Sequence, residues 1–206
     1  MFETGYKSPV YNSISIYADA PNNERQITFG SQQTTSTSGL PELIQRYEKE
    51  PNRKVSFEKY INRIGDLSLV DDDVFLSLLK QSGNDPVMWR VQDAFFDDYY
   101  FKPAYNWFAQ NGFTLPLSML IIMDSYIHSG GVRSDIRAMF SEVPPIKGGK
   151  EKVWCTEYVN ARRYWLANHK RTVLHDTVYR MDCFIDCIKK NNWFLDDSIN
   201  ANGVII

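Results

Sequence analysis

Cysteine is scarce. Three in 206 residues is too few, and an odd number, for a disulfide framework. Cys183 and Cys187 stand four apart in a helical stretch, yet no histidine or third cysteine has the spacing of a metal site. They read, with Cys155, as small buried hydrophobes. Long apolar runs are also missing. The longest, around LSMLIIM at residues 117–123, is well short of the about 20 residues a bilayer span needs, so no membrane partner is expected. The first residues are polar and lack the apolar core of a signal peptide, as a secreted protein in its mature form also would. Positive charge is not in excess. The 23 Lys and Arg against 25 Asp and Glu leave a net charge of −2, without the basic field that nucleic acid requires. Internal repeats, low-complexity segments and metal or nucleotide motifs are absent from the sequence, and no cofactor is expected.

What remains is an ordinary globular composition, 43% apolar and 23% charged, with an aromatic share of 14%. At 206 residues the chain can bury one sizeable core or two lobes sharing one. Aromatic rings fill cores and also stack on sugars. Tyr17, Phe29, Trp89, Tyr105 and Trp107 are the rings to watch, each read first as core. In SISIYADAPNNERQITFG, apolar residues alternate over Ile14, Ile16 and Ala18, break at Pro21-Asn22-Asn23, and resume at Ile27 and Phe29. That pattern predicts a β-hairpin. The tract SQQTTSTSG that follows reads as a loop too polar for a core. From Leu40 onward the periodicity predicts helices over 40–50, 56–63, 71–82, 85–101, 115–129, 132–140, 150–168 and 172–192. Asp71, Asp72 and Asp73 suit the start of the third of these. The expected class is mostly helical α+β, with one small hairpin near the N-terminus.

The helix 115–129 is apolar nearly all round and so should be central and buried, with Thr114 as its N-cap. Asp124 lies inside it. Its neighbours one turn away are Leu120, Ile121, Ile127 and His128, so it is on no polar stripe. A buried carboxylate needs a partner, ideally an arginine. Arg162 falls on the stripe of Trp154, Tyr158 and Leu166, and Arg180 on that of Val173, Thr177, Phe184 and Ile188. The expectation is one buried network of Asp124, Arg162 and Arg180, set against three side chains that each reach the surface. His128 reads as a packed, hydrogen-bonded histidine.

The ordered set FETG, YADAPNNERQITFG, DAFFDDYYF, MDSYIHSG and VNAR resembles the chitosanases of glycoside hydrolase family 46 and covers nearly the whole chain. The resemblance implies a lysozyme-like, two-lobed fold in a single domain over residues 1–206, with a cleft between the lobes. It implies an endo-acting, inverting, secreted and monomeric glycosidase that cleaves the β-1,4 links of chitosan. It places the general acid at Glu3 and the general base at Asp19. Thr28, three residues beyond Arg25, would help hold the attacking water, and Arg25 would bind substrate. The family's buried relay maps onto Asp124, Arg162 and Arg180. Inversion needs a protonated carboxyl on the leaving oxygen and an ionised one activating water opposite, roughly 6.5–9.5 Å apart.

Two departures stand out. Ala20 follows Asp19 where the family usually has glycine. The family also carries an acid after the hairpin loop to bind a glucosamine ammonium; TSTSGLPELI has Gly39 or Leu40 there, with Glu42 out of register. Rival readings are a lysozyme-like peptidoglycan muramidase and a catalytically silent glycan-binding module of the same fold. The family's acid sits late in a helix, whereas almost no helix precedes Glu3. Either the chain is a trimmed piece of a longer protein, or Met1 and Phe2 pack to clamp the acid.

Overall fold

The hairpin forms where the alternation places it. In the computed structural model, which describes residues 8–205, β1 (Ile14–Tyr17) pairs antiparallel with β2 (Gln26–Phe29), Ile14 opposite Phe29 and Tyr17 opposite Gln26. Glu3, Met1 and Phe2 lie outside the described residues. The connecting loop turns through Asn22 and Asn23, both left-handed at φ 62° and 60°, a conformation asparagine tolerates better than most residues.

The Ser/Thr/Gln tract departs from expectation. Thr34–Thr35 form β3 on the other side of β2, giving the order β1-β2-β3, and Ser31, Thr34 and Ser36 are buried. Hydrogen bonds make this possible for so polar a tract. Ser36 donates its N–H to Ile27 O at 2.9 Å, and Ser31 N–H reaches Gln92 Oε1 at 2.9 Å.

Among the described residues the chain divides after Asp97 into two compact units. The first holds the three-stranded sheet with α1 (Leu40–Glu48), α2 (Asp73–Ser82) and α3 (Pro86–Phe96). Its core includes Ile27, Phe29, Leu43, Tyr47, Phe57, Phe75, Leu79 and Phe95. Asp72 caps α2 by accepting Phe75 N–H at 2.9 Å, and Asp85 caps α3 by accepting Val87 N–H at 3.0 Å. The segment expected as a helix over 56–63 makes only a short 3-10 turn, Glu58–Tyr60. So short a stretch repays little of the cost of helix nucleation.

A π-helix, Asp97–Phe101, follows α3, and α4 (Lys102–Gln110) comes next. The sequence reading stops at residue 101 and misses α4. Pro103 sits in its first turn, where a missing N–H is tolerated. The second unit continues with α5 (Pro116–Ser129), α6 (Ser134–Arg137), α7 (Glu151–Ala167), α8 (Tyr179–Lys189) and a small hairpin of β4 (Asn200–Ala201) and β5 (Val204–Ile205). Its core centres on Leu117, Ile121, Ile122, Trp154, Tyr158, Leu166, Met181 and Phe184. The predicted helix over 172–192 is split. Residues Thr172–Thr177 wind as 3-10, and Val173 is exposed. Thr114 is not the side-chain cap of α5. Glu151 of α7 instead accepts the N–H groups of Thr114 and Leu115, at 2.9 and 2.8 Å.

Candidate active site

Asp19 sits in the loop just after β1, half-buried. Gln26, the first residue of β2, donates its side-chain N–H to Asp19 Oδ1 at 2.8 Å. Side chains alternate along a strand, so Gln26 and Thr28 share one face of β2 while Ile27 and Phe29 share the other and are fully buried. Across the sheet Thr28 stands opposite Ser15 on one side and Thr35 on the other, a polar row. Thr28 is 4% exposed, and among the described residues its Oγ1 is a buried hydroxyl with no hydrogen-bond partner. Such a group is costly to leave unpaired.

Arg25, from the same loop, turns its Nη1 to Asp71 Oδ1 at 3.1 Å, and both side chains are more than half exposed. An ion pair so exposed is weak and opens readily. Ala20 lies at φ −68°, ψ 168°, extended backbone open to any residue, so the change from glycine places no strain beside Asp19.

The two positions where an ammonium-binding acid would stand are closed. A Cβ at Gly39 would fall 2.7 Å from Phe95 Cζ and 2.8 Å from Thr34 Cγ2, and Leu40 is fully buried. Glu42 is held by its neighbour Arg46 at 2.9 Å.

In the second unit α5, α7 and α8 bring Asp124, Arg162 and Arg180 together. Arg162 Nη1 donates to Asp124 Oδ2 at 2.6 Å; Arg180 Nε and Nη2 donate to Oδ1 at 2.9 and 2.6 Å. All three are almost completely buried. Burial pushes the Asp124 carboxyl up, but the two guanidiniums outweigh it and hold the group below the usual carboxylate range. Three further residues join in. Ser125 Oγ accepts from Tyr158 OH at 2.9 Å and from Arg162 Nη1 at 3.3 Å, and His128 Nδ1 lies 3.3 Å from Arg162 Nη2. Burial and the neighbouring arginines push the His128 imidazole down to about 4.

The aromatic candidates divide. Phe29 is fully buried, Trp107 is half-buried against Phe113 and Trp154, and Tyr17, Trp89 and Tyr105 are exposed. Trp89 is stacked on Tyr11 at 5.5 Å. Among the described residues no three His, Cys, Asp or Glu side chains group as a metal site, and no helix is long and apolar enough to cross a membrane.

The sequence reading singles out none of Gln26, Thr37 and Ser125, and Tyr158 stands out only as a member of the Arg162 stripe. For Gln26 a signal exists: it occupies the polar half of an alternating strand, two residues from Thr28.

Comparison with known proteins adds to this geometry. The chitosanase of Gynuella sunshinyii, in complex with chitotetraose, superposes with a TM-score of 0.84 at 23% identity, over 100% of this chain and 91% of that one. The native chitosanase of Bacillus subtilis MY002 gives 0.80 at 24% identity, over 100% and 93%. A mutant of the MY002 chitosanase complexed with 6 GlcN gives 0.83 at 23%, over the same shares. At these identities the likeness establishes the fold. A comparison with curated proteins gives no match. The model of glycosyl hydrolase family 46 matches residues 6–199, nearly the entire length, and the chain belongs to that family.

Proposed function

We propose that this protein hydrolyses the β-1,4 links of chitosan by inversion, as an extracellular, endo-cleaving monomer built as one domain. Asp19 is the general base and Glu3 the general acid. The observation that carries the reading is the buried, unpartnered Thr28 hydroxyl on the β2 face that also presents Gln26 to Asp19. A water held by Thr28 Oγ1 can pass a proton to the Asp19 carboxylate as its oxygen attacks the anomeric carbon. Glu3 then protonates the departing glycosidic oxygen from the opposite face. Family membership supports the reaction class, and chitosan oligomers are bound by two structurally similar enzymes.

Asp124 with its two arginines is proposed as the supporting network. A general acid must stay protonated near neutrality, and loose guanidiniums would ionise it. Both Arg162 and Arg180 spend hydrogen bonds on Asp124, which moderates their field. Arg25, in a weak exposed pair, is free to exchange Asp71 for a sugar hydroxyl.

One observation favours a second reading, an acetylated substrate such as peptidoglycan. The crowding at Gly39 and the burial of Leu40 leave no room for a carboxylate to meet an ammonium. Hydrolysis of chitosan and of cell walls by wild type, Glu3→Gln and Asp19→Asn tests both. Loss of chitosan hydrolysis in both folded variants is expected. Clearing of cell walls with no release from chitosan would select the second reading. Wild-type activity in both variants would remove the catalytic assignment.

A further inference from the structure

We infer that Gln26 is a positioning residue for Asp19, and that Thr37 locks Gln26 into that role. The inference rests on the reading of Asp19 as the base. A side-chain amide has one donating and one accepting end, and here both are committed. Gln26 Oε1 accepts the Thr37 hydroxyl at 2.6 Å and the Thr37 N–H at 3.3 Å. Gln26 Nε2 donates to Asp19 Oδ1 at 2.8 Å. Flipping the amide would set its N–H against the Thr37 N–H and its oxygen against a carboxylate, so the orientation is fixed by chemistry.

The frame around this chain of bonds is stiff. Gln26 is 4% exposed and stands opposite Tyr17 in the β1–β2 ladder, two residues before the loop reaches Asp19. Thr37 follows directly on Ser36, which is tied to Ile27 through both its backbone and its hydroxyl. The β3 side of the sheet thus holds the amide, and the amide holds one oxygen of the carboxylate.

Three variants separate this role from simple packing. Gln26→Leu keeps volume but removes both ends. Gln26→Glu still accepts from Thr37 but replaces the donor facing Asp19 with a negative oxygen. Thr37→Val removes only the hydroxyl. The readout, taken on folded protein, is kcat against KM, since a loss of simple packing would not fall on kcat alone. Gln26→Leu should lower kcat about tenfold with KM within about twofold. The loss in kcat should be larger in Gln26→Glu and smaller in Thr37→Val. An unchanged kcat in folded Gln26→Leu and Gln26→Glu would overturn the inference, even with Asp19→Asn inactive. Wild-type turnover by Asp19→Asn would instead remove Asp19 as the base, and the positioning role with it. Should Gln26→Leu fail to fold, Gln26→Glu and Thr37→Val decide the matter alone.

Discussion

Arg162 Nη2 lies 3.3 Å from Nδ1 of His128. A guanidinium only donates, so the imidazole accepts at Nδ1 and carries its proton on Nε2. The charged groups facing His128 are Asp124 of its own helix, Arg162 of α7 and Arg180 of α8. Protonation would place a third cation against two arginines.

That arrangement makes stability depend on acid. Folding lowers the His128 titration from 6.5 to about 4. Between those values the unfolded chain binds a proton that the folded chain refuses, so stability falls as pH drops through this window, by up to about 3 kcal/mol. Urea unfolding from pH 7 to pH 4 should show the loss. His128→Asn, which keeps an acceptor but does not titrate, should flatten it; an unchanged slope would assign the acid sensitivity elsewhere.

Asp124→Ala should be severe. It strands two buried guanidiniums that together donate three hydrogen bonds to the carboxylate. Removing one partner of a buried ion network costs about 3–5 kcal/mol. Thermal unfolding checks the stability, and residual hydrolysis at a temperature where the variant is still folded checks the support of catalysis. A folded variant with full activity would leave the network without a catalytic role.

Asp85 ties three segments of the first unit together. It caps α3, and its Oδ2 accepts Tyr47 OH at 2.7 Å and Lys54 N–H at 2.8 Å. Burial pushes its carboxyl up, but the donors of Lys54, Tyr47 and Val87 win and hold it low. The stabilisation is therefore complete above the ordinary carboxylate range and is lost as pH falls below it. Asp85→Ala should cost about 2–4 kcal/mol, the sum of a lost cap and stranded donors, read as a drop in urea midpoint at pH 7.

Placing an acid at Gly39, one of the two positions where the resemblance would put an ammonium-binding carboxylate, should fail. Gly39→Asp drives a Cβ into Phe95 and Thr34, both buried. Overpacking of this kind costs about 1–3 kcal/mol. A lower melting temperature without better chitosan turnover is expected. A clear rise in turnover would show that Phe95 can move aside.

The buried network was legible because a carboxylate inside an all-apolar helix demands a cation, and two arginines on apolar stripes were at hand. The hairpin was legible from alternation alone. The Ser/Thr tract was not. Its burial depends on hydrogen bonds to Ile27, Gln26 and Gln92, partners that adjoin it only after folding. Gln26 was missed for the same reason, since a lone glutamine looks like solvated surface until Asp19 and Thr37 are set beside it. Helix α4 was lost to Pro103, a residue that ends a helix in its interior but not in its first turn.

Strand β2 is the middle of its sheet and only four residues long, Gln26–Phe29. Its even positions are Gln26, bonded to Asp19, and Thr28, with the unpaired hydroxyl; its odd positions are Ile27 and Phe29, with no exposed surface. A slip of one residue against either neighbour would therefore exchange the two sets, turning the amide away from Asp19 and the two apolar side chains toward it. Whatever selects for a folded first unit also selects for an aligned carboxylate, and neither can drift without the other.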